Sequence, residues 1–336
     1  MKITAQSPCR VDLAGGTLDI WPLYLFHARA VTVNFAVNRY TYCSVITHDN
    51  PSIVLRSLDL KSEESFASLD ALQSARKYKL PLPAYVVDFF APRQGFVMET
   101  NSEAPAGAGI SGSSSLIISI ASALNKLTGA GYSLEKLREI AQNNEARIIR
   151  VPTGCQDYYP AMYGGVSAIE MDCAGIRRKP IQVDLEDFNQ RIVLAYTGEP
   201  RNSGINNWEV NKAYIDGDRT VRNNFQRIAD IANAMRGAIE KSDWTETARL
   251  LREEWANRKK NAPGITTPLI DRLVEKTRKA GARGAKVCGA GGGGCVFFLV
   301  ERGAKERVTK VIEAEGASVL PAAVAPRGVR VKASAA

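Results

Sequence analysis

A glycine- and serine-rich stretch at residues 104–116 (APAGAGISGSSSL) most restricts how this chain can fold. It contains Gly107, Gly109 and Gly112 followed by three consecutive serines, and an apolar run with helical periodicity comes next. Glycine lets a backbone approach a ligand closely, and serine is a favoured helix N-cap. The amide N–H groups at a helix N-terminus bind phosphate. The stretch therefore predicts either a phosphate-binding loop or a flexible turn that caps a buried helix.

This loop differs from the two best-known phosphate-binding patterns. No Lys-Ser or Lys-Thr pair follows its last glycine, as a Walker A loop requires. Its glycine spacing is also not that of a dinucleotide-binding fingerprint. Neither a P-loop fold nor a Rossmann fold is therefore indicated.

Strands dominate the start of the chain and helices its second half. The chain has 336 residues, of which 45% are hydrophobic and 24% charged, as in ordinary globular proteins. This order predicts an α+β fold with two lobes. The boundary is expected between residues 172 and 188, which gives lobes of residues 1–180 and 181–336.

Apolar patterning and capping residues predict the individual elements. Strands are expected at residues 3–13, 31–47, 95–101, 166–171 and 192–196, around a turn within 285–300, and near 329–331. Residues 85–90 fit either a strand or a helix. Helices are expected at residues 62–77, 113–127, 134–149 with Ser133 as N-cap, 267–280 and 304–315, and over most of 205–260.

Composition excludes several classes of protein. Six cysteines form no CxxC pair, and two histidines cannot supply a histidine-rich metal cluster. No apolar run reaches the roughly 20 residues that span a bilayer, and no secretory signal is visible, so a reducing cytoplasm is the expected setting. The net charge of +9 is spread along the chain, which favours an anionic small ligand over nucleic acid.

Residues 7–24 form a second stretch with functional potential. Arg10 precedes a strand end at Gly15 and Gly16, and Asp19 follows within a few residues. An aspartate at such a strand exit can accept hydrogen bonds from a polyhydroxyl ligand, and an arginine can face phosphate. A tight turn with a surface aspartate is the alternative.

Two further stretches carry carboxylates and glycines. Glu145 lies on the helix that Ser133 caps, and Asp157 follows a Pro-Thr-Gly break. The pair can serve one site, with one carboxylate on Mg²⁺ and the other facing a substrate hydroxyl; a surface glutamate and a capping aspartate are the alternative.

Five of the six residues 289–294 are glycine, which indicates a tight backbone conformation, close ligand approach or a sharp structural turn.

In their order along the chain, the four stretches resemble the motifs of the GHMP kinase superfamily, which includes galactokinase, homoserine kinase and mevalonate kinase. PAGAGISGSSS resembles its phosphate-binding motif, and KVCGAGGGGC resembles its C-terminal glycine-rich motif. RVDLAGGTLDIWPLY, GCQDYYPAMYGG and YTGEPRNSG are most similar to the sugar 1-kinases, the branch that includes the heptose 7-phosphate kinases and is related to fucokinase. The resemblance covers nearly the whole chain.

The resemblance implies a two-lobed fold, with an N-terminal lobe like ribosomal protein S5 domain 2 and a ferredoxin-like C-terminal lobe. It implies that ATP binds between the lobes with Mg²⁺, and that phosphate passes to the anomeric hydroxyl of a sugar or sugar phosphate. A kinase for a non-sugar alcohol such as mevalonate or homoserine is one alternative. A non-catalytic relative that senses sugar and ATP is another.

The resemblance also implies roles for single residues. Asp157 matches the aspartate near the attacking hydroxyl, and Arg10 matches the basic residue of the first motif; both are catalytic candidates. Ser114 and Glu145 match the ligands of Mg²⁺. The phosphates of ATP would meet Gly107, Gly109, Ser111, Gly112, Ser113 and Ser114. The acceptor would meet Gly16, Asp19, Arg201, Gly291, Gly292 and Gly293.

The sequence departs from the sugar kinases directly after the catalytic aspartate. Tyr158 stands where those enzymes commonly have glutamine. This departure bears on the choice of acceptor sugar more than on the ATP chemistry.

Overall fold

The computed structural model describes the backbone of residues 1–200 and 203–335 and the side chains of residues 1–200 and 208–335. The strands are β1 (Lys2–Ala14), β2 (Ala30–His48), β3 (Ile53–Ser57), β4 (Ser62–Phe66), β5 (Gly95–Ser102), β6 (Val166–Asp172), β7 (Gly175–Ile181), β8 (Ile192–Tyr196), β9 (Ala282–Val287), β10 (Cys295–Val300), β11 (Ser318–Leu320) and β12 (Arg330–Ser334). The helices are α1 (Leu69–Gln73), α2 (Pro81–Phe90), α3 (Gly112–Thr128), α4 (Leu134–Ile149), α5 (Tyr158–Tyr163), α6 (Leu185–Asn189), α7 (Ser203–Ile215), α8 (Arg219–Glu240), α9 (Trp244–Arg258), α10 (Pro268–Ala280) and α11 (Lys305–Ala314).

The N-terminal lobe is built on a sheet with the order β12-β1-β2-β5-β3-β4, to which β6 and β7 are added beside β2. On the side away from β1, the long strand β2 pairs with two strands. Its first residues pair with β6 and its last residues pair with β5. Helices α2, α3 and α4 cover one face, where Ile117, Ile120 and Leu137 join the core. The end of β1 reaches the other lobe, where Asp12 pairs with Lys286 of β9.

The C-terminal lobe is built on an antiparallel sheet with the order β11-β8-β10-β9. All six residues of β10 (CVFFLV) are buried, since this sheet is covered on both faces. Phe298 and Val300 pack with Ile270 of α10 and Ile312 of α11. Phe297 points the other way, as expected for alternate residues of a strand.

A shared apolar core joins the two lobes. Phe297 from the C-terminal sheet lies against Phe35 from β2, with ring centroids 5.7 Å apart, and Phe35 lies 5.2 Å from the ring of Phe188. Residues of α8 and α9, including Met235 and Leu251, complete this core. The interface between the lobes is thus packed like a domain interior.

The predicted α+β fold with two lobes is confirmed, and most predicted elements are present. Ser133 caps α4 by accepting a hydrogen bond from the Lys136 amide, as predicted. Residues 85–90 lie in helix α2. The chain passes from the first sheet to the second between Ile181 and Ile192, and β12 returns to pair with β1.

The predicted helix at residues 62–77 is wrong. Residues Ser62–Phe66 form β4, which pairs with β3 in register Ile53↔Phe66, and only Leu69–Gln73 is helical nearby. Pairing with a neighbouring strand overrides weak local periodicity.

Within the described part of the chain, no helix is both long and apolar enough to cross a membrane.

We expect the Phe297→Ala variant to lose about 3–5 kcal/mol of unfolding free energy, because it opens a cavity in the core shared by the lobes. Urea denaturation followed by circular dichroism measures this loss. Phe89→Ala is the matched control, since Phe89 is 44% exposed, and it should change stability far less. A loss below about 1 kcal/mol for Phe297→Ala would show that the lobes do not depend on this contact.

Candidate active site

The N-terminus of α3 opens into a cleft between the lobes. Ser111 precedes the helix with φ of 60°, and its hydroxyl donates to the Ile110 carbonyl at 2.6 Å instead of capping the helix. The first helical hydrogen bond joins the Ser115 amide to the Ser111 carbonyl at 2.9 Å. The amides of the preceding three residues have no carbonyl of their own helix to meet. The loop therefore presents N–H groups at a positive helix end, which suits an anion.

The cleft has a volume of about 420 Å³, which is typical of small-molecule sites. It brings together residues from all four sequence stretches, with Gly289 and Ala290 from the last. The predicted residues that line it are Arg10, Gly16, Asp19, Gly107, Gly109, Ser111, Gly112, Ser113, Ser114, Glu145 and Asp157.

Glu145 is held at this helix end by three hydroxyl groups. Ser113 Oγ donates to Oε1 at 2.6 Å, and Ser114 Oγ donates to Oε2 at 2.8 Å. The phenol of Tyr158 also donates to Oε2, at 2.5 Å. Burial raises the pKa of Glu145, and these hydrogen bonds oppose that rise. Glu145 is therefore a buried carboxylate, not the surface glutamate of the alternative interpretation.

Asp157 and Arg10 form an ion pair that also lines the cleft. Arg10 Nε donates to Asp157 Oδ1 at 2.8 Å, and its Nη1 donates to the Gly109 carbonyl at 2.7 Å. Burial alone would lower the pKa of Arg10. Asp157 and Asp12 together raise this pKa by more than burial lowers it, so the guanidinium keeps its charge. Although Asp157 precedes α5, its side chain makes no capping hydrogen bond. Arg10 thus connects Asp157 to residues 104–111, the phosphate loop that the sequence predicts.

Asp19 lies inside the cleft and is 3% exposed, so it is not a surface residue of a turn. Its Oδ2 accepts from the Gln156 amide at 3.0 Å, and its Oδ1 accepts from Gln156 Nε2 at 3.3 Å. Burial, together with the nearby charge of Asp157, raises the pKa of Asp19 to about 6. The adjacent Gly154 has no room for a Cβ, because that atom would collide with the Asp19 carboxylate. Asp19 is thus fixed and ionised near neutral pH.

Sequence reasoning missed four charged residues next to these. Asp12 accepts from the Gly289 amide at 2.9 Å and pairs with the buried Lys286. Arg258 donates to the Gly16 carbonyl at 3.0 Å and pairs with Glu254 through its Nε at 2.7 Å. Asp12 and Lys286 stand inside the quoted motifs, so a charged residue with apolar residues directly before and after it was the available signal.

The glycine cluster is where the C-terminal lobe packs on the phosphate loop. Gly289 lines the cleft together with Ala290. The Gly292 amide bonds the Ile265 carbonyl at 2.8 Å, and a Cβ on Gly294 would lie 2.7 Å from the Ala108 carbonyl. Gly291, Gly292 and Gly293 are not among the residues that line the cleft, and Arg201 lies outside the described residues.

We expect Asp19→Asn to raise the unfolding free energy at pH 7.5 by about 1–3 kcal/mol, since each unit of pKa shift is worth about 1.4 kcal/mol. The folded pKa of about 6 lies above the ordinary aspartate pKa of 3.8, so the folded state binds more protons and the wild type loses stability as pH rises between them. The gain should therefore shrink from pH 6 to pH 4. Urea denaturation at several pH values measures it.

Asp49→Asn is the control for this prediction, because Asp49 is exposed. Its unfolding free energy should follow that of the wild type at every pH. A gain for Asp19→Asn that does not change with pH would contradict the assignment of a raised pKa to Asp19.

Comparison with known proteins gives the family. The GHMP kinases N terminal domain matches residues 73–165, and the GHMP kinases C terminal region matches residues 235–318. The chain is 25% identical, over 335 residues and 98% of both chains, to the D-glycero-alpha-D-manno-heptose 7-phosphate kinase of Campylobacter jejuni. It is 25% identical over 344 residues to the L-fucokinase/L-fucose-1-P guanylyltransferase of Bacteroides fragilis, with 92% of this chain and 36% of that protein covered.

A solved structure shares the fold. The crystal structure of a D-glycero-D-manno-heptose 1-phosphate kinase from Bacteroides thetaiotaomicron gives a TM-score of 0.80 at 22% identity, covering 99% of this chain and 100% of that one. The matched domains, the fold and the order of the site motifs agree. The chain belongs to the GHMP kinase family.

Proposed function

We propose that this protein is an ATP-dependent sugar kinase that phosphorylates a sugar or sugar phosphate at its anomeric hydroxyl. One observation carries the proposal. The free amides of α3 and the Glu145 carboxylate line the same cleft as a second group, Asp157, Arg10 and Asp19. The first group suits a nucleotide phosphate and the second suits a polyhydroxyl acceptor.

The α3 side of the cleft suits the phosphates of ATP. The amides of Gly112, Ser113 and Ser114 would donate to phosphate oxygens, as helix N-termini do. The residues present also fit Mg²⁺, since Glu145 and Ser114 offer a carboxylate and a hydroxyl oxygen, and Mg²⁺ usually takes one or two protein carboxylates plus phosphate and water. When bound, Mg²⁺ would neutralise charge on the β- and γ-phosphates.

Asp157 would accept or orient the proton of the attacking hydroxyl. Phosphoryl transfer depends on positioning and on charge neutralisation more than on covalent chemistry. Arg10 holds Asp157 with one edge of its guanidinium and the Gly109 carbonyl with another nitrogen, so it fixes the carboxylate relative to the phosphate loop. Its positive charge would also oppose the charge on the transferred phosphate.

Asp19 would accept hydrogen bonds from the hydroxyls of the acceptor. The related proteins named above support this choice, because their names give a heptose phosphate or fucose as the sugar. A non-sugar alcohol such as mevalonate or homoserine offers fewer hydroxyls to a buried carboxylate. A non-catalytic sensor of sugar and ATP would not need Asp157 held beside a phosphate loop.

An ADP-release assay tests the proposed function. We expect turnover with at least one member of a panel of free hexoses, pentoses, 6-deoxy sugars and heptose 7-phosphate, and ³¹P NMR should show a sugar 1-phosphate product. Turnover only with mevalonate or homoserine would overturn the sugar assignment. Binding of sugar and ATP without turnover would favour the sensor.

We expect Asp157→Ala to lower kcat by about 10²–10⁴-fold, the usual contribution of a general base, and to leave ATP binding nearly unchanged. Single-turnover kinetics and calorimetric ATP titration measure the two effects. Asp172→Ala is the matched control, because Asp172 also pairs with an arginine, Arg177, but on an exposed strand end. Wild-type turnover by Asp157→Ala would remove Asp157 from the mechanism.

A further inference from the structure

Lys286 is a buried cation whose partners come from both lobes. Its side chain on β9 has no exposed surface. Its ammonium group pairs with the Asp12 carboxylate, bonds the Asp12 carbonyl at 3.2 Å and lies 3.6 Å from Glu254. Asp12 belongs to β1 of the N-terminal lobe, so the ion pair crosses the lobe interface. The proposed chemistry does not use Lys286.

Asp12 connects this lysine to the reaction centre. Its Oδ1 accepts from the Gly289 amide at 2.9 Å and lies 3.8 Å from Arg10 Nη1. Arg10 in turn lies 2.7 Å from Asp157 through Nη2. An unbroken series of charged side chains, Lys286, Asp12, Arg10 and Asp157, therefore runs from the core of the C-terminal lobe to the cleft.

The charges in this series depend on one another. Burial is the largest single influence on the pKa of Asp12 and raises it, but Lys286, Arg10, Arg258 and the Gly289 amide together lower it below its usual range, so the carboxylate stays ionised. A neutral group at this position would leave Lys286 with Glu254, at 3.6 Å, as its anion and Arg10 with Asp157 as its anion. Both cations would then move, because removing one partner of a buried charge is costly. The position of Arg10 thus depends on Asp12 and Lys286.

We propose that Asp12 and Lys286 are positioning residues for phosphoryl transfer: the pair holds Arg10 so that Asp157 is aimed at the acceptor hydroxyl. The inference rests on the proposed function and deepens it. It gives Lys286 of the C-terminal lobe a role in phosphoryl transfer, although Arg10 and Asp157 lie in the N-terminal lobe. It also explains a lysine with no exposed surface beside the glycine turn.

Asp12→Asn and Lys286→Met test the proposal with the sugar that the wild type accepts. We expect each variant to lower kcat by about 10–100-fold, since a misplacement of about 1 Å can cost 10²-fold. KM for ATP and for the sugar should stay within about threefold, because neither residue is assigned to ATP or to the acceptor. The double variant should be no slower than the slower single variant, because both changes break the same link.

Arg236→Met is the matched control. Arg236 also forms an ion pair between the lobes, with Glu170 at 2.6 Å, but neither residue lines the cleft. It should leave kcat unchanged. If Lys286→Met does not fold, the nearly isosteric Asp12→Asn decides. Wild-type kcat in folded Asp12→Asn, or additive losses in the double variant, would overturn the proposal.

A readout independent of activity separates this proposal from the proposed function. A wild type without kinase activity would overturn the proposed function alone. Crystal structures of the wild type and of Asp12→Asn would then decide the inference. We expect the 2.7 Å contact between Arg10 and Asp157 to be lost in the variant. An unchanged contact would overturn the positioning role.

Discussion

Lys286 must be paired with carboxylates, because an unpaired ammonium group in a protein interior is costly. Its anions are Asp12 from the opposite lobe and Glu254 from α9, and Glu254 also binds Arg258, which reaches back to the Gly16 carbonyl. Removing one partner of such a buried group typically costs about 3–5 kcal/mol. The lobes therefore meet in one relative position, where these four side chains are paired.

This interface also builds the cleft. The Cys295 amide of the C-terminal lobe bonds the Ala108 carbonyl of the phosphate loop at 2.7 Å. Gly294, with φ of 78°, lets the two backbones approach each other there. Arg258 holds the turn that precedes Asp19, through the carbonyl of Gly16. Both the loop before α3 and the turn before Asp19 therefore depend on contacts from the C-terminal lobe.

The sequence predicted those features that depend on neighbours in the chain. Ser133 and the apolar stripe that follows it predicted α4, and the glycines and serines predicted the loop before α3, because caps and turns are local. Asp12 and Lys286 were not found, since 274 positions separate them and only the fold brings them together. The helix predicted at residues 62–77 was wrong for the same reason, because β3 pairs with residues Ser62–Phe66.

Four of the five carboxylates that line the cleft fall into two classes. Asp12 is paired with Lys286 and Asp157 with Arg10, whereas Asp19 and Glu145 accept hydrogen bonds from neutral amides and hydroxyls of the described residues. Burial raises the pKa of both Asp19 and Glu145, so the fold bears a cost for keeping them ionised.

Such a cost is typical of functional sites, where stability is given up for binding. A ligand relieves it by supplying what neutral donors lack. A divalent cation beside Glu145 would supply positive charge, and a polyol beside Asp19 would supply further hydroxyl donors. Asp157 lies close enough to both carboxylates that its charge adds to the rise in their pKa values. Under the proposed function, a metal beside Glu145 and an acceptor beside Asp19 would therefore both bind next to Asp157.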